Sequence, residues 1–216
     1  RLIDNINIVD VNNFPLDSLA NRFLKRSFDL LFSISVLLFI MSWLYPIIAL
    51  IIMLESKGPI IFKQMRNGKS NHPFLCFKFR TMYLNDHSDE KWASKNDDRI
   101  TPFGAFLRRT SLDELPQLFN VIRSEMTIVG PRPLPIRLNN QYKSQIKNYS
   151  QRHSFKPGIT GLAQALGHRG EIRELRQIRN RVTLDKFYLN HWTLLLDVKI
   201  IAITFVELAK GQESAY

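Results

Sequence analysis

A single cysteine, Cys76, stands in a chain of 216 residues. That excludes a disulfide framework and any cysteine-ligated zinc site, and suits a reducing compartment. Nine glycines and ten prolines are too few for collagen-like or low-complexity sequence. The glycines build neither a Walker loop nor a dinucleotide fingerprint, and no Ser-His-Asp cue is present. His72, His87, His153, His168 and His191 fall at no metal-ligand spacing. Acidic residues are scarce: 19 against 30 Lys and Arg leave a net charge of +11. An excess of that size calls for a polyanionic partner, whether nucleic acid, an anionic membrane surface or phosphate-bearing substrates. With 45% hydrophobic residues the chain is expected to fold around a core.

Leu30–Leu54 contains no charged residue over 25 positions, more than the ~20 a helix needs to cross the hydrocarbon layer. This predicts a membrane-embedded segment over 22–56. Pro46 lies inside it, so a kink is expected there. Basic residues flank it on both sides, Arg22, Lys25 and Arg26 before and Lys57, Lys63 and Arg66 after. A spanning helix carries such a bias on one side. The two-sided bias predicts a re-entrant helix-break-helix, with a tilted span carrying a proline kink as the alternative. Residues 1–21 read as the tail of an absent upstream region, since the chain opens at Arg1 with no secretory signal. Residues 57–216 read as a cytoplasmic catalytic domain.

Within that domain Ile136–Tyr149, Ile172–Phe187 and Leu194–Ala209 show helical spacing, the last as an interfacial amphipathic helix closed by Gly211. Ile60–Lys63, Phe74–Arg80 and Thr127–Val129 are strand-like. The class is α+β, mainly helical, without internal repeats.

Several segments suggest phosphate chemistry. Arg108–Asn120 (RRTSLDELPQLFN) sets two arginines ahead of Asp113 and Glu114. Ser111 with Glu114 three later also spells a capping box, although Pro116 sits badly with that. An Asp at a helix start ringed by arginines can attack phosphorus to form an acyl-phosphate. Arginines and a hard cation such as Mg²⁺ would spread the developing charge. Lys78 and Arg80 alternate onto one face of a strand, either toward a ligand or as a solvated edge. Arg132 stands between two prolines in GPRP, restrained enough to offer its fork to an anion. Lys156–Gln164 is a Pro/Gly loop that permits close approach of a ligand. Arg169, Arg173, Arg176, Arg179 and Arg181 read mainly as a solvated or headgroup-facing helix side.

Taken in order, KRSFD (Lys25–Asp29), GPIIFKQMRNGK (Gly58–Lys69), FKFRTM (Phe77–Met82), Arg99–Ile122, MTIVGPRP (Met126–Pro133), RHSFKPGITGLAQ (Arg152–Gln164) and GHRGE (Gly167–Glu171) resemble the bacterial sugar transferase family. These are monotopic phosphoglycosyl transferases that begin polysaccharide or glycan assembly on polyprenyl phosphate. The resemblance implies a re-entrant membrane helix joined to a small cytoplasmic α/β domain with interfacial amphipathic helices. It implies transfer of a hexose-1-phosphate from a UDP-sugar to polyprenyl (undecaprenyl) phosphate, with release of UMP, at the bacterial inner membrane. Asp113 is then the nucleophile, forming a covalent phosphosugar and binding Mg²⁺, and Glu114 assists as base or positions the acceptor. Arg108, Arg132, Arg169, Lys78, Arg80 and Lys156 are the expected substrate-binding residues. The sequence departs from the family at Tyr45-Pro46, where Ser-Pro is usual, so the missing hydroxyl is expected from Ser42. GLAQ and Glu125-Met126-Thr127 also depart, without touching the dyad. The ending GQESAY resembles that of larger, exopolysaccharide-initiating members. A homodimer is an admissible assembly. The competing readings are a non-catalytic basic membrane-surface scaffold and a nucleic-acid binder, the latter disfavoured by the charge-free run.

Overall fold

The computed structural model describes residues 2–3, 6–7, 14–84, 97–170, 172 and 174–210. The expected cap at Gly211, the ending GQESAY, Glu171, Arg173 and His87 lie outside the described residues. Two short strands, β1 (Leu2–Ile3) and β2 (Ile6–Asn7), pair antiparallel. A 3₁₀ turn over Pro15–Asp17 then leads into α1 (Leu19–Val36). Leu16 of that turn is buried in the main core, and Phe14 packs edge-on against Phe155. The folded unit thus begins inside the stretch read as a tail.

α1 continues through a π-helical turn, Leu37–Met41, into α2 (Ser42–Glu55). The distortion expected at Pro46 therefore falls one turn ahead of it, where the ring would otherwise meet the carbonyl four residues back. The helix does not open into a loop. Side chains take the carbonyls of the widened turn: Ser42 Oγ donates to Leu38 O (2.6 Å) and Trp43 Nε1 to Phe39 O (2.9 Å). Ser42 thus supplies the short hydroxyl, able to reach a helix carbonyl, that a serine at position 45 would have brought.

β3 (Ile61–Asn67) and β4 (Pro73–Phe79) form an antiparallel hairpin. The outer edge of β4 is closed by the Asn120 amide, which accepts from Phe77 N and donates to Leu75 O. Next come α3 (Pro102–Arg109), α4 (Gln117–Ile122), β5 (Thr127–Val129) and α5 (Ile136–Gln145). α3 starts where it should, with Pro102 in its first turn and Thr101 Oγ1 accepting from Gly104 N. β6 (Gly158–Thr160) pairs parallel with β5, followed by α6 (Leu162–Ala165), α7 (Leu175–Asn190) and α8 (Leu194–Ala209). The architecture is α+β and mainly helical. A Cβ on Gly158 would overlap the Gly130 nitrogen, so the close approach its sequence context permits is used by backbone, not by ligand.

One face of the long helix is bound to the domain along its whole length. Phe32, Val36 and Leu37 pack on the core that holds Leu118, Met126 and Trp192. Further on, Met41, Ile48 and Ile52 are buried with Phe79 and Leu107. The opposite face stays apolar and exposed, with Phe23, Leu31, Phe39, Trp43, Leu50 and Leu54 outward.

The basic flanks mostly serve the fold. Arg26 donates to Val121 O and Ile122 O, capping α4. Lys25 is buried between Asp29 (3.2 Å) and Asp197 of α8 (2.8 Å). Asp29 in turn accepts from Thr127 Oγ1 (2.5 Å) and Ile128 N (3.1 Å) of β5. The far end is fixed equally: Arg80 donates to Ile52 O, Ser56 O and Lys57 O, and Glu55 accepts from Phe103 N at the start of α3.

Candidate active site

The acidic pair sits on a 3₁₀ turn, Leu112–Glu114, between α3 and α4. Ser111 enters it with φ 56°, in the left-handed region, and makes no capping bond. The capping box its spacing spells is therefore not formed. The Ser111 hydroxyl instead accepts from Arg169 Nη1 at 3.2 Å, across 58 residues of sequence. The turn directs both carboxylates inward, where Asp113 is 7% and Glu114 8% exposed.

The two acids have different partners. Glu114 accepts a forked pair from Arg132, Nη2 to Oε1 at 2.6 Å and Nη1 to Oε2 at 3.2 Å, and a third bond from Lys78 Nζ at 2.7 Å. Among the described residues Asp113 is held only by Lys78, at 3.4 Å to Oδ2. Burial pushes both carboxyls up. In Glu114 the charges of Arg132 and Lys78, with their direct bonds, overcome burial and hold it well below the usual carboxylate range. In Asp113 burial prevails over Lys78, and the negative Glu114 adds to it, so its pKa is raised. Glu114 is thus a fixed anion, and Asp113 the acid whose oxygens remain loosely engaged.

Five segments meet here: β4 with Lys78, α3 with Arg108, the 3₁₀ turn, the GPRP loop with Arg132, and the loop after α6 with Arg169. Arg108 lies close enough for its charge to act on Asp113, and its Nη1 is buried without a protein acceptor. Arg169 Nε is likewise buried without an acceptor. Burial lowers the Arg169 pKa, and the like charge of Arg132 adds to this. Unmatched buried guanidinium N–H groups beside a carboxylate are what an incoming phosphate would satisfy.

Arg80 and Lys156 are placed elsewhere. Arg80 alternates onto the same side as Lys78, but its Nη1 and Nη2 are engaged by Ile52 O near the end of α2 and by Ser56 O and Lys57 O just past it. Lys156 lies with Arg26, Asp29 and Lys69 near the root of α1, and among the described residues no bond joins it to either acid. Sequence reasoning overlooked Arg66 and Arg152, which hold the GPRP loop from two sides. Arg66 Nη1 donates to Pro133 O and Arg152 Nη2 to Arg132 O, both at 2.8 Å. Neither has a local signal, because each acts on the backbone of a distant loop.

Among the described residues no cluster of three or more His, Cys, Asp or Glu could cage a metal. The donor set still fits Mg²⁺. That ion is commonly held by one or two carboxylates together with substrate phosphates and water. Asp113 is the carboxylate that could serve, since Arg132 and Lys78 already engage both oxygens of Glu114.

A buried, cation-ringed acid beside a long helix with an exposed apolar face describes a class of protein able to receive phosphate. The bacterial sugar transferase family matches residues 20–211, and the chain belongs to that family. It is 43% identical over 217 residues to a UDP-glucose:undecaprenyl-phosphate glucose-1-phosphate transferase of Klebsiella pneumoniae, covering 99% of this chain and 46% of that protein. A protein of the same name from Xanthomonas campestris pv. campestris is 48% identical over 171 residues, 78% of this chain and 35% of its own. The exopolysaccharide production protein PSS of Rhizobium leguminosarum bv. phaseoli is 43% identical over 195 residues, 88% of this chain and 97% of its own. The chain spans less than half of the first two relatives and nearly all of the third.

Proposed function

We propose that the chain catalyses transfer of a hexose-1-phosphate from a UDP-sugar to undecaprenyl phosphate, the reaction named for its glucose-specific relatives. The observation that carries this is the unequal environment of the dyad. Glu114 is fully engaged by Arg132 and Lys78, which leaves Asp113 as the reactive carboxylate beside unmatched arginine donors.

In the first half-reaction an Asp113 carboxylate oxygen attacks the phosphorus that bears the sugar. The Asp113 O–P bond forms, the bond from that phosphorus to the bridging oxygen breaks, and UMP leaves with the electron pair. In the second, an oxygen of undecaprenyl phosphate attacks the same phosphorus and Asp113 departs as carboxylate. Arg108 and Arg169 meet phosphate oxygens through the donors they hold ready. Lys78 bridges the acids, and Glu114 keeps Arg132 and Lys78 in place. Mg²⁺ held by Asp113, when bound, supplies further neutralisation of phosphate charge.

Both ends of the long helix are tied to one domain, Lys25, Arg26 and Asp29 at one end and Glu55 and Arg80's carbonyl partners at the other. This supports a re-entrant arrangement, because a spanning helix delivers its ends to opposite faces of the bilayer. The enzyme then works at the cytoplasmic face of the bacterial inner membrane, where lipid acceptor and nucleotide sugar meet. No observation favours a scaffold without catalysis.

The test is Asp113→Asn in the membrane-bound protein, given UDP-glucose, Mg²⁺ and undecaprenyl phosphate. UMP release and covalent sugar-phosphate labelling should both vanish while membrane association persists. Turnover that survives the substitution removes Asp113 as nucleophile.

A further inference from the structure

α7 has no part in the chemistry above, yet side chains on its inner face reach, directly or through Arg152, the loops that carry Arg169 and Arg132. Arg181 Nη2 donates to Arg169 O (3.1 Å) and Gly170 O (3.0 Å). One turn on, Asp185 accepts from Arg152, Nε at 3.1 Å and Nη2 at 2.9 Å. Arg152 passes the constraint forward through Nη2 to Arg132 O at 2.8 Å. The Tyr188 hydroxyl lies 2.8 Å from both Val129 O, three residues before Arg132, and Asp197 Oδ1 of α8, and its one proton serves either acceptor. All three α7 residues are buried. The spacing 181, 185, 188 is that of one helix face.

Arg132 and Arg169 both stand on irregular backbone. Arg169 is flanked by Gly167 and Gly170, each with φ 81°, and Arg132 lies between prolines. Backbone bonds at Gly130 N, Pro131 O and Leu134 O hold the GPRP loop on either side of Arg132, and the side-chain bonds to the carbonyls of Arg132, Arg169 and Gly170 add the constraint at the arginines themselves. A buried ion pair and a third buried guanidinium are costly to place where apolar side chains would pack as well. Arg132, Arg152, Arg169 and Arg181 gather around two anions, Glu114 and Asp185, a concentration of like charge that a bound phosphate relieves.

We propose that Arg181 and Asp185 are positioning residues for phosphoryl transfer. Through the carbonyls of residues 169 and 170 and, via Arg152, of residue 132, they set where Arg169 and Arg132 meet the phosphates. This rests on the function proposed above.

The experiment compares Arg181→Met, Arg181→Lys, Asp185→Asn and, on the exposed face of the same helix, Arg179→Ala. It uses the whole chain in detergent with UDP-glucose, Mg²⁺ and undecaprenyl phosphate. Melting temperature, kcat, KM and calorimetric affinity for inorganic pyrophosphate are measured for each. Arg181→Met and Asp185→Asn should lower kcat by about tenfold to a hundredfold, the cost of misplacing a group by an ångström, in the fraction that is folded at the assay temperature. Pyrophosphate binding should weaken by a similar factor. Arg181→Lys should recover most of both, since an ammonium can reach the same two carbonyls, and Arg179→Ala should match the parent. Unchanged kcat in Arg181→Met overturns the proposal. So does a loss that follows melting and is not relieved by lysine. Should Asp185→Asn fail to fold, the methionine–lysine pair decides alone. Should the parent itself release no UMP, the proposed function fails, and the pyrophosphate titration then judges the positioning claim: equal affinities across the set would overturn it.

Discussion

Glu114 and Asp113 differ by one position and by almost everything else. Glu114 stays ionised because Arg132 and Lys78 outweigh its burial, so it is unsuited to accept a proton near neutrality. Glu114→Gln should therefore act through the arginine and lysine it releases, lowering kcat by about a hundredfold, the scale of losing one prearranged electrostatic partner. The proposed mechanism requires Asp113 to be ionised when it attacks, and its pKa is raised, so activity should fall with decreasing pH above the ordinary aspartate range. Removing the Glu114 charge relieves part of that rise, and the acid limb of the pH profile should move to lower pH. A limb that disappears instead would identify Glu114 as a proton-transfer base. A second titration belongs to stability. His153 Nε2 pairs with Asn139 Oδ1 at 2.8 Å, and burial, with the charge of Arg152 next, pushes its pKa down to about 4 from 6.5. The unfolded chain then binds the extra proton first, so stability is full above pH 6.5 and declines as pH falls toward 4. At 1.36 kcal/mol per unit that is about 3 kcal/mol. Chemical denaturation across this window should show the slope, and His153→Gln should flatten it.

Among the elements, the hairpin β3–β4 has two tasks two residues apart. Lys78 faces the dyad, whereas Arg80 fixes the end of the long helix through Ile52 O and the two carbonyls just past it, Ser56 O and Lys57 O. Arg80→Met should leave those carbonyls without a charged donor and cost about 3 kcal/mol of stability. The KM for UDP-sugar should stay unchanged in the folded fraction. A raised KM at unaltered stability would return Arg80 to the substrate. At the other end of the segment, Lys25 and Asp29 join α1 to β5 and α8 through buried bonds. The anchor and the strand leading to Arg132 are therefore one packed unit.

For the whole molecule the question is which way the long helix faces. Its 37 residues, Leu19–Glu55, reach roughly 55 Å at 1.5 Å per residue, well beyond a ~30 Å hydrocarbon layer. One face is spent on the domain and the other is apolar. Cysteines introduced at Ser18 and Lys57, both exposed, test the arrangement, since native Cys76 is buried. A membrane-impermeant maleimide should label both in inverted vesicles and neither in spheroplasts. Labelling from opposite sides would establish a span.

Much of this was legible in the chain as written. The uninterrupted apolar run, the adjacent acids after two arginines, and the α8 boundaries Leu194–Ala209 follow from composition and period, which act between neighbours. The gathering of Arg108, Arg132 and Arg169 about the acids was expected from the family resemblance and Lys78 from strand alternation, while Arg80 and Lys156, expected with them, lie elsewhere. What spacing could not reveal is the assignment of cations to duties. Arg80, Lys25, Arg26, Arg66, Arg152 and Arg181 all look like surface charge in a basic sequence, yet each is committed to a carbonyl or carboxylate in another part of the chain. A guanidinium's partner depends on which distant backbone groups burial has stripped of water. Only the packed tertiary arrangement decides that.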